Sequence, residues 1–293
     1  MSVLPVDAQR MRNTQTVTHP AGLFSGVFDP TSQRFVAGTI DGRLVAWPYP
    51  DLAEPAVFDW RHRGYVSALA VLAHQRRLVS AGYDRRIVWW DPSDGVPLRE
   101  VLVDGRPMAV TVSPDQRILA IVDDDRWLRL VDAQTGALVA AYEGHPAMTV
   151  KQTPSSVYCV AFSPDSRLVA SGDRTGLVLV RETATGAVVQ RLSATRFYSD
   201  FRKKPDGSPS DGEYELGGVR MLSFSHDGEI LIAGGMADYD PNSAATDGNM
   251  GLVGFSVQSG EQLFATVLDG EKGYLQTAAI HPSGMLIAAG GGG

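Results

Sequence analysis

The sequence predicts an all-β fold made from one small antiparallel sheet repeated about six times, and three observations carry that prediction. One pattern returns along nearly the whole chain: a short apolar strand, a turn reading Ser-Pro-Asp or close to it, a second strand running into Gly or Asp, and a third strand. Within each unit apolar residues alternate, as in Val157, Cys159 and Ala161 or Leu128 and Leu130, which is the period of two of a pleated sheet. Finally, 31 Gly and 17 Pro among 293 residues call for many turns and few long helices.

The units follow in order: Leu23 to Pro30 with Arg34 to Trp47, Val66 to Ala73 with Arg77 to Trp90, and Met108 to Asp115 with Ile118 to Asp132. Then come Val157 to Asp165 with Leu168 to Glu182, Val219 to Gly228 with Glu229 to Phe255, and Thr277 to Gly284 with Met285 onward. The Pro position of the first turn falls at Pro30, Ala73, Pro114, Pro164, His226 and Pro282, in steps of 43, 41, 50, 62 and 56 residues. The first two steps match the roughly 40 to 45 residue period of a four-stranded unit, and the later ones are that period with insertions. Ser93-Asp94-Gly95, Gln134-Thr135-Gly136, Ala184-Thr185-Gly186 and Gln258-Ser259-Gly260 mark the turns into the fourth strands, where Gly supplies the positive φ of a tight hairpin.

One such sheet cannot bury both of its faces, but copies stacked radially bury a continuous core and leave only short edges. The expected architecture is a β-propeller of four-stranded antiparallel blades, spanning 13–293 behind an N-terminal extension of 1–12 and without an internal domain boundary. Counted strictly there are five complete blades and a partial sixth, which reads as a fragment of a six- or seven-bladed ring; an open or oligomer-closed ring is the alternative.

The second unit carries His62 before its first strand, Ser80 and Asp84 around its second, and Trp90-Asp91 at the end of its third. In these residues the chain resembles the WD-repeat family of β-propellers, over roughly residues 15 to 293. The resemblance implies a structural hydrogen-bonded set, Asp84 to His62 to Ser80 to the indole of Trp90. The first unit keeps His19, Asp41 and Trp47 but has Ala37 at the Ser position; the third has Val131 for Trp, and the fourth Gly144-His145 with Arg181-Glu182. Blades lacking the set are expected to be softer. The resemblance also implies that Gln15 to Thr18 completes the last blade.

A net charge of -7 argues against phosphate-backbone binding, so nucleic acid is not an expected partner. The N-terminus lacks a signal-peptide apolar core, and no run approaches the roughly 18 apolar residues of a membrane span. The expectation is a cytoplasmic, monomeric protein away from the membrane. The single Cys159 reads as a buried structural thiol.

In a propeller the insertions Pro146 to Ser155, Ala194 to Leu216 and Met236 to Asn249 should all rise from the top face. Aromatic and basic residues together are the usual interface anchors. They place a partner-binding lip at Phe197, Tyr198, Phe201, Arg202, Lys203, Lys204, Tyr214 and Tyr239. Asp238, Asp240, Asn242 and Asp247 superficially resemble a calcium loop, but Ser243 and Asn249 stand where an EF-hand wants Gly and Glu. His19, His62 and His145 are absorbed by the structural set, and His74, His226 and His281 fall in turns of the opposite face, leaving no imidazole for a top-face metal. No metal or other cofactor is expected. The reading is a non-catalytic scaffold that holds a protein or peptide on the top face near blades four and five. The alternative is an enzyme or small-molecule binder with its site at the central channel.

Overall fold

The computed structural model describes residues 15–199, 215–239, 248–281, 283 and 285–291. The fold is all-β: five four-stranded antiparallel blades of the β-propeller class and a two-stranded partial sixth. Blade one comprises Leu23–Asp29, Arg34–Thr39, Leu44–Pro48 and Ala56–Val57; blade two Val66–Leu72, Arg77–Gly82, Arg86–Asp91 and Val96–Leu102. Blade three comprises Pro107–Val112, Ile118–Asp123, Leu128–Asp132 and Leu138–Tyr142; blade four Val157–Phe162, Leu168–Asp173, Leu177–Glu182 and Val188–Ser193. Blade five comprises Met221–Phe224, Ile230–Ala237, Asn249–Ser256 and Gln262–Lys272, and Tyr274–Ile280 pairs with Leu286–Gly291 in the sixth.

The repeated Ser-Pro-Asp turn has a local chemical cause. Ser113 Oγ donates to Asp115 at 2.5 Å and accepts from the backbone of Ile118 at 3.0 Å, and Ser163 and Ser225 do the same with Asp165 and Asp227. Each turn thus satisfies its own polar groups before any packing occurs. At the next hairpin Gly95, Gly136, Gly186 and Gly260 all sit at φ between 71° and 75°, which a side chain resists.

Contacts group the described chain into two compact units, residues 15–124 with 129–141, and residues 125–128 with 142 onward. In the first unit the adjacent Trp89 and Trp90 face opposite ways, as alternation dictates. Trp90 fills a core with Val36, Leu44 and Phe58 on the blade-one side, whereas Trp89 joins Leu119, Ile121 and Val131 on the blade-three side. The Trp89 indole donates to Ala133 O at 2.8 Å. In the second unit Val180, Phe197, Phe224 and Phe255 form the core between blades four and five, and Met221, Leu252 and Leu275 that between blade five and the two-stranded sheet.

The first strands of blades one to four and of the two-stranded sheet share a further device. Their pairing slips by one residue near the start, at Phe24, Ser67, Met108, Tyr158 and Gln276. Such a bulge re-aims the side chain at one end of a strand.

Candidate functional site

The residues that stiffen blade two are fixed by burial. His62 Nδ1 lies 2.8 Å from Asp84, His62 Nε2 lies 2.7 Å from Ser80 Oγ, and the Trp90 indole donates to the same Oγ at 2.9 Å. Burial opposes the charge on Asp84, but His62 and the backbone N–H groups of Arg63 and Arg86 hold its carboxyl below the usual range. Blade four keeps three members: His145 joins Asp173 and Ser171, each at 2.8 Å. Arg181, standing where blade two has Trp, instead donates to Glu143 O and Gly186 O. Blade three, with Val131 at the Trp position, has a buried Asp123–Arg129 ion pair instead.

Blade one does not assemble the set. His19 lies edge-on to Trp47, with ring centres 6.3 Å apart, and its Nδ1 contacts Ala21. Asp41 accepts from Thr39 Oγ1 and pairs with Arg43. Ala37 offers no hydroxyl to bridge the three, so no hydrogen bond joins His19, Asp41 and Trp47.

In the second unit two of the insertions converge on one carboxylate. Glu215 is 6% exposed and accepts from Thr149 Oγ1 at 2.5 Å and Lys151 N at 3.0 Å, and also from Thr153 and Tyr198 hydroxyls. Burial alone would raise its pKa, yet these donors outweigh it and bring the carboxyl down to about 2. Burial, with the hydrogen bond to and the charge of Glu215, pushes the Tyr198 phenol up to about 12. Arg174 clamps the loop further through Glu215 O and Pro154 O.

Phe197 corrects the expected lip. It is fully buried, and Cβ atoms on Gly235 and Gly251 would stand 2.8 and 2.9 Å from its ring carbons. Those two glycines form a floor that the ring fills, so Phe197 is a core residue and offers no surface to a partner. Tyr239 donates to Phe197 O at 2.9 Å, and Tyr198 is held by Glu215. Phe201, Arg202, Lys203, Lys204 and Tyr214 lie outside the described residues, as do Asp240, Asn242 and Asp247 of the acidic loop. Asp238 is paired with Arg196 at 3.6 Å. Beside this braced platform Arg220 lies 3.7 Å from the ring centre of Tyr158 and 4.7 Å from that of Tyr274.

The first unit exposes a different cluster that sequence reasoning missed. Phe24 is the second residue of the first strand of blade one, Tyr65 precedes that of blade two, Arg106 precedes that of blade three, and Tyr83 follows the second strand of blade two. All four therefore occupy the same end of their sheets. Tyr65 stacks on Tyr83 with centres 5.5 Å apart, Phe24 touches both, and the Arg106 guanidinium lies 5.7 Å from the Tyr83 ring. Phe24 remains 48% and Tyr65 42% exposed, so a continuous aromatic ledge faces solvent. Its members are spread over some eighty residues, and only their common place at one end of neighbouring sheets relates them.

Comparison with known proteins agrees with this geometry. The family model for the WD domain, G-beta repeat, matches residues 57–91 and 136–180, which include His62, Ser80, Asp84 and Trp90 of blade two and His145, Ser171 and Asp173 of blade four. Two stretches of the chain thus match the WD repeat. The WD repeat-containing protein SL1-17 of Schistosoma mansoni is 25% identical over 205 residues, 69% of this chain and 58% of that protein. The human Pre-mRNA-processing factor 17 is 30% identical over 57% of this chain and 29% of its own length. The Target of rapamycin complex subunit wat1 of Schizosaccharomyces pombe is 30% identical over 36% of this chain and 32% of its own. The chain thus spans less than two thirds of each relative. WD-repeat proteins of this kind serve generally as protein-interaction scaffolds, and the His, Ser, Asp and Trp residues above are their internal bracing.

Proposed function

We propose that this chain is a non-catalytic scaffold that holds a protein or peptide on the end of its blades where the first strands begin. The exposed ledge of Phe24, Tyr65 and Tyr83 with Arg106 carries the reading. Tyr, Phe and Arg are the side chains that anchor interfaces, because they offer large area with little entropy to lose. The ledge stands on buried blades, so little ordering accompanies binding. Around blades four and five, Glu215 braces loops at the ends of the insertions and gives a second preformed surface at Tyr198, Tyr239 and Arg220.

The relatives support a scaffold by name, one being a complex subunit and another a processing factor. A charge of -7 favours a protein over nucleic acid or an anionic membrane, and a cytoplasmic monomer remains the working description. The test is quantitative affinity capture with the full chain against Phe24→Ala/Tyr65→Ala. The reading expects a specific set of captured proteins to fall at least about tenfold with the double variant, as hot-spot truncation requires. An unchanged set would overturn it.

A further inference from the structure

At the opposite end of the first unit lies a cleft of about 380 Å³ between blades one and two, lined by Thr31, Ser32, Arg34, Arg76, Arg77 and the Asp91–Ser93 turn. Three arginines reach it from two blades: Arg34 starts the second strand of blade one, while Arg76 closes the first turn of blade two and Arg77 starts its second strand. Arg34 is anchored by donation to Pro92 O at 3.0 Å and Ser93 O at 3.5 Å. Arg77 donates to Asp91 at 3.3 Å. The Arg76 guanidinium makes no hydrogen bond to any described residue. It sits near enough to Asp91 to join Arg77 in lowering that carboxyl, behind the larger effect of Ser93, which donates to it from Oγ and N.

The cleft holds three guanidiniums against the Asp91 carboxylate, with the Asp29 carboxylate behind Thr31 and Ser32, which leaves a local positive excess in a protein whose overall charge is -7. A phosphomonoester carries close to two negative charges at neutral pH and presents three acceptor oxygens, which guanidinium N–H groups recognise in pairs. Thr31 and Ser32 hydroxyls at the rim are held by Asp29 at 2.7 and 2.5 Å, so the rim is fixed in place. We propose that this cleft binds the phosphoryl group of a phosphorylated serine or threonine on a partner protein. A membrane or nucleic acid would bring many more anionic groups against the acidic surface of the same molecule, whereas one phosphorylated side chain engages only the local excess. The site is distinct from the aromatic ledge, and its failure would leave the scaffold reading intact.

The test is a fluorescence-anisotropy titration of the full chain with a degenerate heptapeptide pool carrying central phosphoserine, and with the same pool unphosphorylated. Inorganic phosphate, vesicles containing phosphatidylinositol 4-phosphate and single-stranded RNA form the comparison arms. The proposal expects saturable binding of the phosphorylated pool only, at least about tenfold tighter than inorganic phosphate. Arg76→Glu should weaken it tenfold or more and the exposed control Arg191→Glu should leave it unchanged; Arg34→Gln, a neutral replacement, gives an independent second loss. Unaltered thermal melting of Arg76→Glu separates loss of the site from loss of the fold. Equal binding of both pools, no binding, parity with inorganic phosphate, preference for vesicles or RNA, or indifference to Arg76→Glu would each overturn it.

Discussion

Phe197 and Gly251 meet across the core of the second unit so closely that a Cβ on Gly251 would lie 2.9 Å from the Phe197 ring. The ring closes the top of blade five, and Gly218 N and the Tyr239 hydroxyl both donate to its carbonyl. A loop residue is thereby made part of the core. Phe197→Ala should destabilise the protein by about 3–5 kcal/mol, since it removes a fully buried aromatic and leaves a cavity. Gly251→Ala should also destabilise, by overpacking. Urea denaturation of the two variants checks both.

Glu215 gives the second unit a pH-dependent brace. Its carboxyl titrates near 2 in the folded protein against 4.5 ordinarily, so the charged form is favoured by folding. The sign follows: the stabilisation is fully present above about pH 4.5 and is lost as pH falls through about 2. Glu215→Gln should therefore lower stability by about 2 kcal/mol or more at pH 7. The gap between wild type and variant should stay level from pH 7 to 4.5 and narrow toward pH 2. Denaturation midpoints at pH 7, 4.5, 3 and 2 read this directly.

Blades one and two should respond differently to the same kind of change. Ser80→Ala leaves both His62 and the Trp90 indole without a buried partner and should cost about 2–3 kcal/mol. Asp41→Ala touches only a partly exposed turn and should cost less than about 1 kcal/mol. Thermal melting of the two variants side by side tests the contrast.

Cys159 should be inert in the native state. Burial pushes its thiol well above the ordinary range, and its Sγ lies 3.3 Å from Val219 O. Labelling by a thiol reagent at pH 8 should follow the unfolding of the chain; rapid labelling of folded protein would contradict this.

The blades were legible because their signals are local. Ser113, Pro114 and Asp115 make their turn among themselves, and His62, Ser80, Asp84 and Trp90 hold fixed spacing within one repeat. The candidate surfaces were not, because non-local packing decides them. Phe197 stands in an aromatic and basic run that looks solvent-facing, and only Gly235 and Gly251, far along the chain, show that it is covered. Phe24, Tyr65, Tyr83 and Arg106 carry no shared motif and become one ledge only when three sheets stand side by side. In blade four, Arg181 masks a His145–Asp173–Ser171 set that is nevertheless complete apart from Trp.

Hydrogen-exchange mass spectrometry of the chain with and without a captured partner tests the scaffold most directly. The account predicts protection concentrated on the segments bearing Phe24, Tyr65, Tyr83 and Arg106. Protection elsewhere, with those four segments exchanging as in the isolated protein, would contradict it.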